Sequence, residues 1–287
     1  MANANNSLVA SGSKKVTLSV ALQSEGMQRM ISASFNGNSK AMMKFTSDLM
    51  AVATTNPALK DCDPASLVSV GLQANSLNLS MAPSLGEAYA VPYGNVAQFQ
   101  VGKNGLVQLA IRTGQYLDID SMTVHEGEYK GRDKATGKPV FEFIEDDEAR
   151  EKLPVAGYMA YFEMLNGFRK VVYFSRQKVM DWANRYSKAF DEKLFKKYET
   201  YVQTGEGMTA QELQKCSAPW YSRFDAMGEK TVLKQLLLKW GAKSTELMSA
   251  MDNDEQQPYA LSSTDDVFTT QAAAPASENT EKDFFGE

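Results

Sequence analysis

The chain has 287 residues, of which 43% are hydrophobic and 23% charged, so it can form one large folded body or two smaller ones. Its formal net charge of −5, taken alone, argues against a nucleic-acid partner. The acids are concentrated, however: the residues from Met251 onward carry −8, and residues 1–250 carry +3. Such asymmetry is typical of polyanion binding or of a regulatory tail. Two cysteines and one histidine are too few for a zinc site.

The first predicted elements are helices. Apolar residues at three- and four-residue spacing predict one helix over Leu18–Phe35 and another over Met42–Ala53. Asp63 and Pro64 suit the cap and the first turn of a third helix, which continues through Leu67–Leu77.

A β-hairpin is predicted over Glu87–Val101, because Gly94-Asn95 suits the positive φ angles of a tight turn. A two-residue turn places small apolar side chains on one face, which is expected to lie on the core, and larger side chains on the other. The expected core face is Ala88, Ala90, Ala97 and Phe99, and the opposite face is Tyr89, Val91, Tyr93, Gln98 and Gln100.

Further strands and helices complete the prediction. Gly102–Thr113 is predicted to be helical, Ser175 caps an amphipathic helix, and a long helix follows Pro219. The order of helices, sheet and helices predicts an α+β fold, with a small antiparallel sheet, a protruding hairpin and flanking helices. The predicted strands after the hairpin are Tyr116–Val124, Val140–Ile144, Val155–Met164 and Arg169–Phe174.

Three regions are expected along the chain. Residues 1–15 are predicted to be disordered, residues 16–250 form a single body, and residues 251–287 form an acidic flexible tail. The tail, which includes Phe284-Phe285, either docks protein partners, occupies the basic surface of its own body, or serves only as a solubilising segment. With no signal peptide and no long apolar run, the chain is expected in the cytoplasm.

Signatures of catalysis are weak. The stretch Gly228–Thr231 resembles the end of a phosphate-binding loop, but Glu229 interrupts it and Arg223 stands where the first glycine belongs. Paired acids leave open a Mg²⁺-dependent nuclease, although we favour a solvated strand edge decorated with acids, which is a common arrangement. These acids are Asp118 with Asp120, and Glu126 with Glu128.

Basic residues form three better-organised groups. In the Gly102–Thr113 helix, Lys103 stands beside two glycines that would leave first-turn amides open to a phosphate. Residues 166–200 carry a net charge of +5, and the last long helix places three cations away from its apolar face. Solvated helix faces would explain each group alone, but together with a Tyr/Gln-bearing hairpin they favour single-stranded nucleic acid.

Several spaced stretches between Pro64 and Ser244 resemble the RecT family of phage single-strand annealing recombinases, relatives of the lambda phage Beta protein. Each stretch is short, but they occur in the same order as in the family. The stretches are Gly71–Gln73, Gly86–Tyr93, Phe99–Gly114, Pro219–Tyr221, Phe224–Met227 and Lys230–Lys234.

The resemblance implies an ATP-independent protein that coats single-stranded DNA as a ring or helical filament and pairs it with a complementary strand. Such a protein would hold the annealed duplex, and it would work beside an exonuclease and the single-stranded DNA-binding protein of a bacterial host. It implies no bond chemistry and therefore no catalytic residue, and Mg²⁺ is expected at most to modulate DNA binding. No other cofactor and no membrane are expected.

The same resemblance, combined with the basic groups, gives the candidate DNA-binding residues. They lie on the Gly102–Thr113 helix, on residues 166–200, on the last long helix and on the hairpin. The set is Lys103, Asn104, Gln108, Arg112, Arg169, Lys170, Arg176, Lys178, Arg185, Arg223, Lys230, Lys234, Tyr89, Gln98 and Gln100.

Overall fold

A computed structural model describes residues 16–254. The predicted disorder of residues 1–15, and the predicted tail beyond Asp254, lie outside the described residues. Within 16–254, no helix is both long enough and apolar enough to cross a membrane.

The N-terminal part is helical, with one break that the spacing of apolar residues did not predict. The expected helix Leu18–Phe35 is divided at Ser24, whose backbone is extended and whose hydroxyl donates to the carbonyl of Ala21 at 2.7 Å. A serine that bonds to nearby backbone competes with the helix and favours a cap position. The elements are α1 (Leu18–Leu22), α2 (Glu25–Ser34), α3 (Ser39–Thr55) and a 3₁₀ helix (Pro57–Asp61).

Helix α4 (Pro64–Ser76) and the hairpin β1 (Ala88–Tyr93) and β2 (Val96–Val101) are as predicted. The Asp63 carboxylate accepts from the amide of Ala65, which confirms the cap. The register pairs Tyr89 with Gln100 and Tyr93 with Val96. All four residues of the expected core face are buried.

The central sheet is antiparallel, in the order β3-β6-β7, and a two-stranded arm extends from it between β3 and β6. Three of the predicted strands are confirmed to within one residue. The predicted strand Val140–Ile144 is shorter and pairs with a strand that was not predicted. The elements are α5 (Lys103–Arg112), β3 (Tyr116–His125), β4 (Tyr129–Arg132), β5 (Pro139–Phe141), α6 (Asp147–Glu151), β6 (Val155–Met164) and β7 (Arg169–Ser175).

The arm is fixed to the sheet by a buried ion pair. Arg150 donates through Nε to Oε1 of Glu128 at 2.6 Å and through Nη2 to Oε2 at 3.2 Å. The Glu128 carboxylate also accepts from the amides of His125 (2.7 Å) and Ile144 (3.3 Å). Burial raises the pKa of Glu128, but the bonds from Arg150 and from the two amides outweigh it and leave the pKa below its usual value.

Replacement of Arg150 by methionine (Arg150→Met) is expected to lower the free energy of unfolding by roughly 2 kcal/mol at neutral pH, since the buried carboxylate loses its cation. A carboxyl with a depressed pKa stabilises the fold above its unfolded value of 4.5, and this stabilisation is lost as the pH falls through the folded pKa. The deficit should therefore shrink below about pH 4, as the carboxyl protonates. Urea unfolding between pH 3 and pH 7 measures this difference in the free energy of unfolding. Lys152→Met, which changes an exposed cation on the same segment, is the control. A difference that does not depend on pH would contradict the prediction.

Helices complete the fold. The Ser175 hydroxyl accepts from the amide of Lys178 and so caps the next helix, as predicted. The long helix expected after Pro219 is divided at Arg223, and the polar stretch from Lys188 to Gln214 holds two helices. The elements are α7 (Arg176–Tyr186), α8 (Glu192–Thr204), α9 (Ala210–Lys215), α10 (Pro219–Ser222), α11 (Phe224–Trp240) and α12 (Thr245–Asn253).

Two features of the C-terminal helices differ from expectation. Helix α12 continues past the predicted start of the tail at Met251, and the Met251 side chain is only 1% exposed. Helix α11 packs on the sheet with most of its circumference buried, which the spacing of its leucines alone did not indicate. Its Gly228 lies against the ring of Tyr158. A Cβ added at this position would stand 2.7 Å from the ring, so only glycine allows the contact.

Candidate nucleic-acid interface

A groove of about 490 Å³ lies between strand β7, the arm β4–β5 and the C-terminal end of α11. We call it the basic groove, because six cationic side chains line it and none of its described lining residues is acidic. Residues 169–174 of β7 form its floor, and three of its lining side chains are aromatic. The cations are Arg132, Lys138, Arg169, Lys170, Lys178 and Lys239, and the aromatic residues are Tyr173, Phe174 and Trp240.

Aromatic faces hold several of these cations in place. The Nζ atoms of Lys170 and Lys239 lie 4.4 and 4.6 Å from the centre of the Trp240 ring. The Nζ atom of Lys178 lies 3.6 Å from the centre of the Phe174 ring. Cation–π attraction restricts these flexible side chains without neutralising their charge. The ammonium groups therefore remain available to an anion.

Two cations of the basic groove, Lys178 and Arg132, repel each other. Partial burial, and then the nearby Arg132 guanidinium, lower the pKa of Lys178. An anion that enters beside Lys178 offsets this repulsion, because it favours the protonated ammonium. The electrostatics of the groove thus suit phosphate groups.

A row of aromatic rings leads from the groove to the surface of the arm. Tyr173 stacks on Tyr129 with ring centres 4.2 Å apart, and its ring contacts that of Phe141 at 5.7 Å. Phe143 stacks on Phe141 with an interplanar angle of 11° and is 42% exposed. Unpaired bases stack on such faces whatever their sequence.

Three of the sequence-predicted residues line the basic groove: Arg169, Lys170 and Lys178. Sequence reasoning missed the cations that the other walls contribute, namely Arg132, Lys138 and Lys239. The first two flank the turn between β4 and β5. Strand β4 was not predicted; its prediction would have shown that these two cations lie together at the turn of a hairpin.

Arg176, Arg185 and Arg223 are placed differently. Arg176 donates to Asp225 and to Glu199, each at 2.8 Å, so its guanidinium joins α7 to α11 and α8. Its predicted contact with DNA stays a prediction, because the guanidinium is engaged within the protein. Arg185 and Arg223 are exposed, and neither is among the residues that line the basic groove.

The basic residues of α5 are engaged by the protein itself. Lys103 donates to the Glu229 carboxylate at 2.6 Å and to the carbonyl of Ser121 at 2.9 Å. Arg112 donates to the carbonyls of Leu77 and Asn78, each at 2.8 Å, and so caps the end of α4. Asn104 donates to the carbonyl of Leu85, and Gln108 is half-buried.

The phosphate site predicted at the start of α5 is not formed. The Gly102 amide donates to the carbonyl of Glu87 at 2.6 Å. A Cβ on Gly102 would stand 1.9 Å from the carbonyl oxygen of Gly86, and one on Gly105 would stand 2.1 Å from that of Glu87. The glycines therefore admit a neighbouring backbone segment rather than a ligand.

Lys230 and Lys234 are buried rather than exposed. Their side chains are 11% and 10% exposed, and they bond to the two oxygens of the Asp254 carboxylate at 3.0 and 3.1 Å. Burial raises the pKa of Asp254, but the two lysines outweigh it and leave the pKa below its usual value. The expectation that both lysines face away from the protein was wrong, because the Asp254 carboxylate and the carbonyl of Met251, at the end of α12, lie against them. Their neighbour Arg223 is exposed at the other end of the helix.

The hairpin residues do not line the basic groove. Tyr89, Gln98 and Gln100 are half-buried, and the Gln100 amide group donates to the hydroxyl of Tyr93 at 3.2 Å. Their predicted contact with DNA stays a prediction.

Geometry argues against the nuclease hypothesis. Asp118 accepts from the hydroxyl of Tyr161, whose pKa is raised to about 12 by burial and then by this carboxylate. Asp120 accepts from the adjacent amide of Ser121. Glu126 is exposed, whereas Glu128 is buried against Arg150. Within residues 16–254, no three His, Cys, Asp or Glu side chains are grouped as metal ligands.

The other catalytic resemblance is also explained by the fold. Residues 228–231 lie inside the continuous helix α11, so they cannot form a phosphate-binding loop. The lone His125 bonds through Nδ1 to the carbonyl of Leu153 at 2.8 Å, which is a structural contact at the base of the arm.

Comparison with known proteins identifies the family. The chain is 36% identical over 218 residues to the uncharacterized protein YqaK of Bacillus subtilis, an alignment that covers 76% of this chain and 66% of that protein. It is 25% identical over 240 residues to protein RecT of Escherichia coli, covering 77% of this chain and 76% of that protein. The sequence profile of the RecT family matches residues 43–269. The chain belongs to the RecT family.

Proposed function

We propose that this protein binds single-stranded DNA in the basic groove and anneals it to a complementary strand without ATP. The observation that carries the proposal is the groove itself, with six cations, three aromatic side chains and no acidic lining residue among those described. Membership of the RecT family supports a general role in DNA recombination and annealing rather than in catalysis.

Annealing needs neutralised phosphates and accessible base edges, because two polyanions must approach and then pair. Three of the cations, Lys170, Lys178 and Lys239, are held on aromatic faces. Such point charges would bind the phosphates of a strand and leave the hydrogen-bonding edges of its bases open. Phosphate contacts fix the position of a strand and carry no sequence information. A protein that binds in this way leaves sequence recognition to the two DNA strands.

Assembly and partners belong to the same proposal. One basic groove is short compared with a length of DNA, so a ring or filament of identical subunits would hold many consecutive nucleotides and keep them in register. An exonuclease would supply the single strand, and a host single-stranded DNA-binding protein would hand it over. Mg²⁺ would act only by screening the phosphates.

The test measures the annealing of two complementary oligonucleotides in the absence of ATP. Each strand carries a fluorescent label, and energy transfer between the labels reports pairing. We expect faster pairing with the protein than without it. Arg169 already pairs with Glu163 at 2.8 Å, so if each of the other five cations neutralises one phosphate, the slope of log K against log salt concentration for binding one strand should be about −3.5 per subunit. Unchanged pairing rates at saturating protein would refute annealing, and a slope near zero would refute the basic groove as the binding site.

A further inference from the structure

The C-terminal region of the sequence has the opposite charge to the basic groove. Residues 261–287 contain six acids and one lysine, whereas six cations and no described acid line the groove. Both belong to one chain, so the acidic segment is present near the groove at an effective concentration of about 1 mM. At that concentration, even a weak interaction between them is populated.

The segment also matches the aromatic walls of the groove. Phe268 follows Asp265-Asp266, and Phe284-Phe285 follow Asp283. An acidic and aromatic peptide offers carboxylates to the cations and rings to the walls formed by Tyr173, Phe174 and Trp240. These are the same two kinds of group that a DNA strand offers, namely anions and flat rings.

Thirty-three residues follow Asp254 in the sequence. Fully extended they span roughly 100 Å, which exceeds the roughly 45 Å diameter of a body the size of residues 16–254. The segment can therefore reach the basic groove of its own subunit from the end of α12.

An acid of the C-terminal region already neutralises lysines of the body. Asp254, the last described residue, bonds to Lys230 and Lys234 of α11, the helix that also carries Lys239 and Trp240 to the groove. This single carboxylate shows that α11 accepts an acid from the end of α12, on the helix that also reaches the groove.

We propose that the acidic, phenylalanine-containing segment of residues 261–287 binds in the basic groove and competes with single-stranded DNA for it. This rests on the proposed function in naming DNA as the competitor and in the assembly of several subunits on one strand. The segment shields the groove from weak polyanions, and a long single strand displaces it because the strand engages several subunits at once.

The experiment uses the full chain with six acids of the segment replaced by amides. We expect the variant to bind a fluorescent 15-nucleotide oligo(dT) about 10-fold more tightly at 50 mM salt. This factor follows if the segment, at an effective concentration of about 1 mM, binds the groove with a dissociation constant near 0.1 mM. The gain should vanish toward 1 M salt, where the Debye length is only about 3 Å. The replacements are Asp265→Asn, Asp266→Asn, Glu278→Gln, Glu281→Gln, Asp283→Asn and Glu287→Gln.

A control variant changes the net charge equally while keeping the segment. It replaces six exposed acids of the body by amides: Glu126, Glu145, Glu151, Glu206, Glu246 and Asp252. We expect its affinity for the oligonucleotide to rise less than 2-fold, since these residues are outside the lining of the groove. An equal gain in both variants, or no gain in the first, would overturn the proposal.

A second measurement does not involve DNA. A labelled peptide of residues 261–287 is added to the full-length variant with the neutralised segment, and its anisotropy is followed. Binding near 0.1 mM that is lost when Lys178 and Lys239 are changed to glutamine supports the contact. No binding up to 2 mM overturns it. If neither full-length protein binds oligo(dT), the proposed function fails, and the peptide measurement still decides whether the segment occupies the groove.

Discussion

Replacement of both Lys178 and Lys239 by glutamine is expected to weaken binding of single-stranded DNA about 25-fold at 0.1 M salt, because each phosphate contact contributes roughly 5-fold there. Both lysines are exposed, place their ammonium groups on aromatic faces, and line the basic groove from α7 and from α11 respectively. The slope of log K against log salt concentration should become shallower by about 1.4. Anisotropy titrations with oligo(dT) at several salt concentrations measure both quantities.

The matched control replaces Lys40 on α3 and Lys193 on α8 by glutamine. Both lysines are exposed and neither lines the basic groove, so the change in net charge is the same. We expect at most a 2-fold loss of affinity, with the slope unchanged. If the control pair loses as much as the groove pair, binding depends on the overall charge of the body and not on this surface.

Replacement of Asp254 by asparagine is expected to lower the free energy of unfolding by about 3 kcal/mol at pH 7, because two buried ammonium groups lose their shared counter-ion. The carboxylate is 9% exposed and bonds to both Lys230 and Lys234. Its pKa lies below the unfolded value of 3.8, so the stabilisation is present above that value and is lost as the pH falls through the folded pKa. Urea unfolding followed by circular dichroism measures the difference.

Asp252→Asn is the control, since it removes an exposed acid from the same helix and is expected to change stability little. If Asp254→Asn is as stable as the control, the two lysines must reach solvent when unpaired, and their role as DNA contacts would become plausible again. The burial of Asp254 and Met251 also has a practical consequence for truncation. A chain ended at Ala250 would lose Asp254 and the buried Met251, so loss of the acidic segment is better studied by substitution.

Local chemistry made much of the fold predictable. The hairpin follows from Gly94-Asn95 and the alternation around it, and the caps at Asp63 and Ser175 follow from side chains that bond to the next turn. Failures occurred where the cause was not local. Ser24 and Arg223 interrupt helices whose apolar spacing is continuous, and β4 has no apolar alternation to reveal it.

The candidate site was predicted only in part, because charge by itself does not tell which cations are free. Lys103, Arg176 and Lys230 are neutralised by Glu229, Asp225 and Asp254, which are 126, 49 and 24 residues away in sequence. Arg112 is used by two carbonyls at the end of α4. Lys239 was overlooked, although it stands beside Trp240 and remains exposed.

The sequence by itself determined the fold class, the hairpin and its register, the family, and the separation of a basic body from an acidic C-terminal region. Those properties depend on residue type and on spacing over a few positions, which are visible without the fold. Tertiary structure alone decided which cations are available, because ion pairs and carbonyl caps join residues far apart in the chain. It also decided where the site lies: the arm, strand β7 and the end of α11 bring Arg132, Lys178 and Lys239 to one groove.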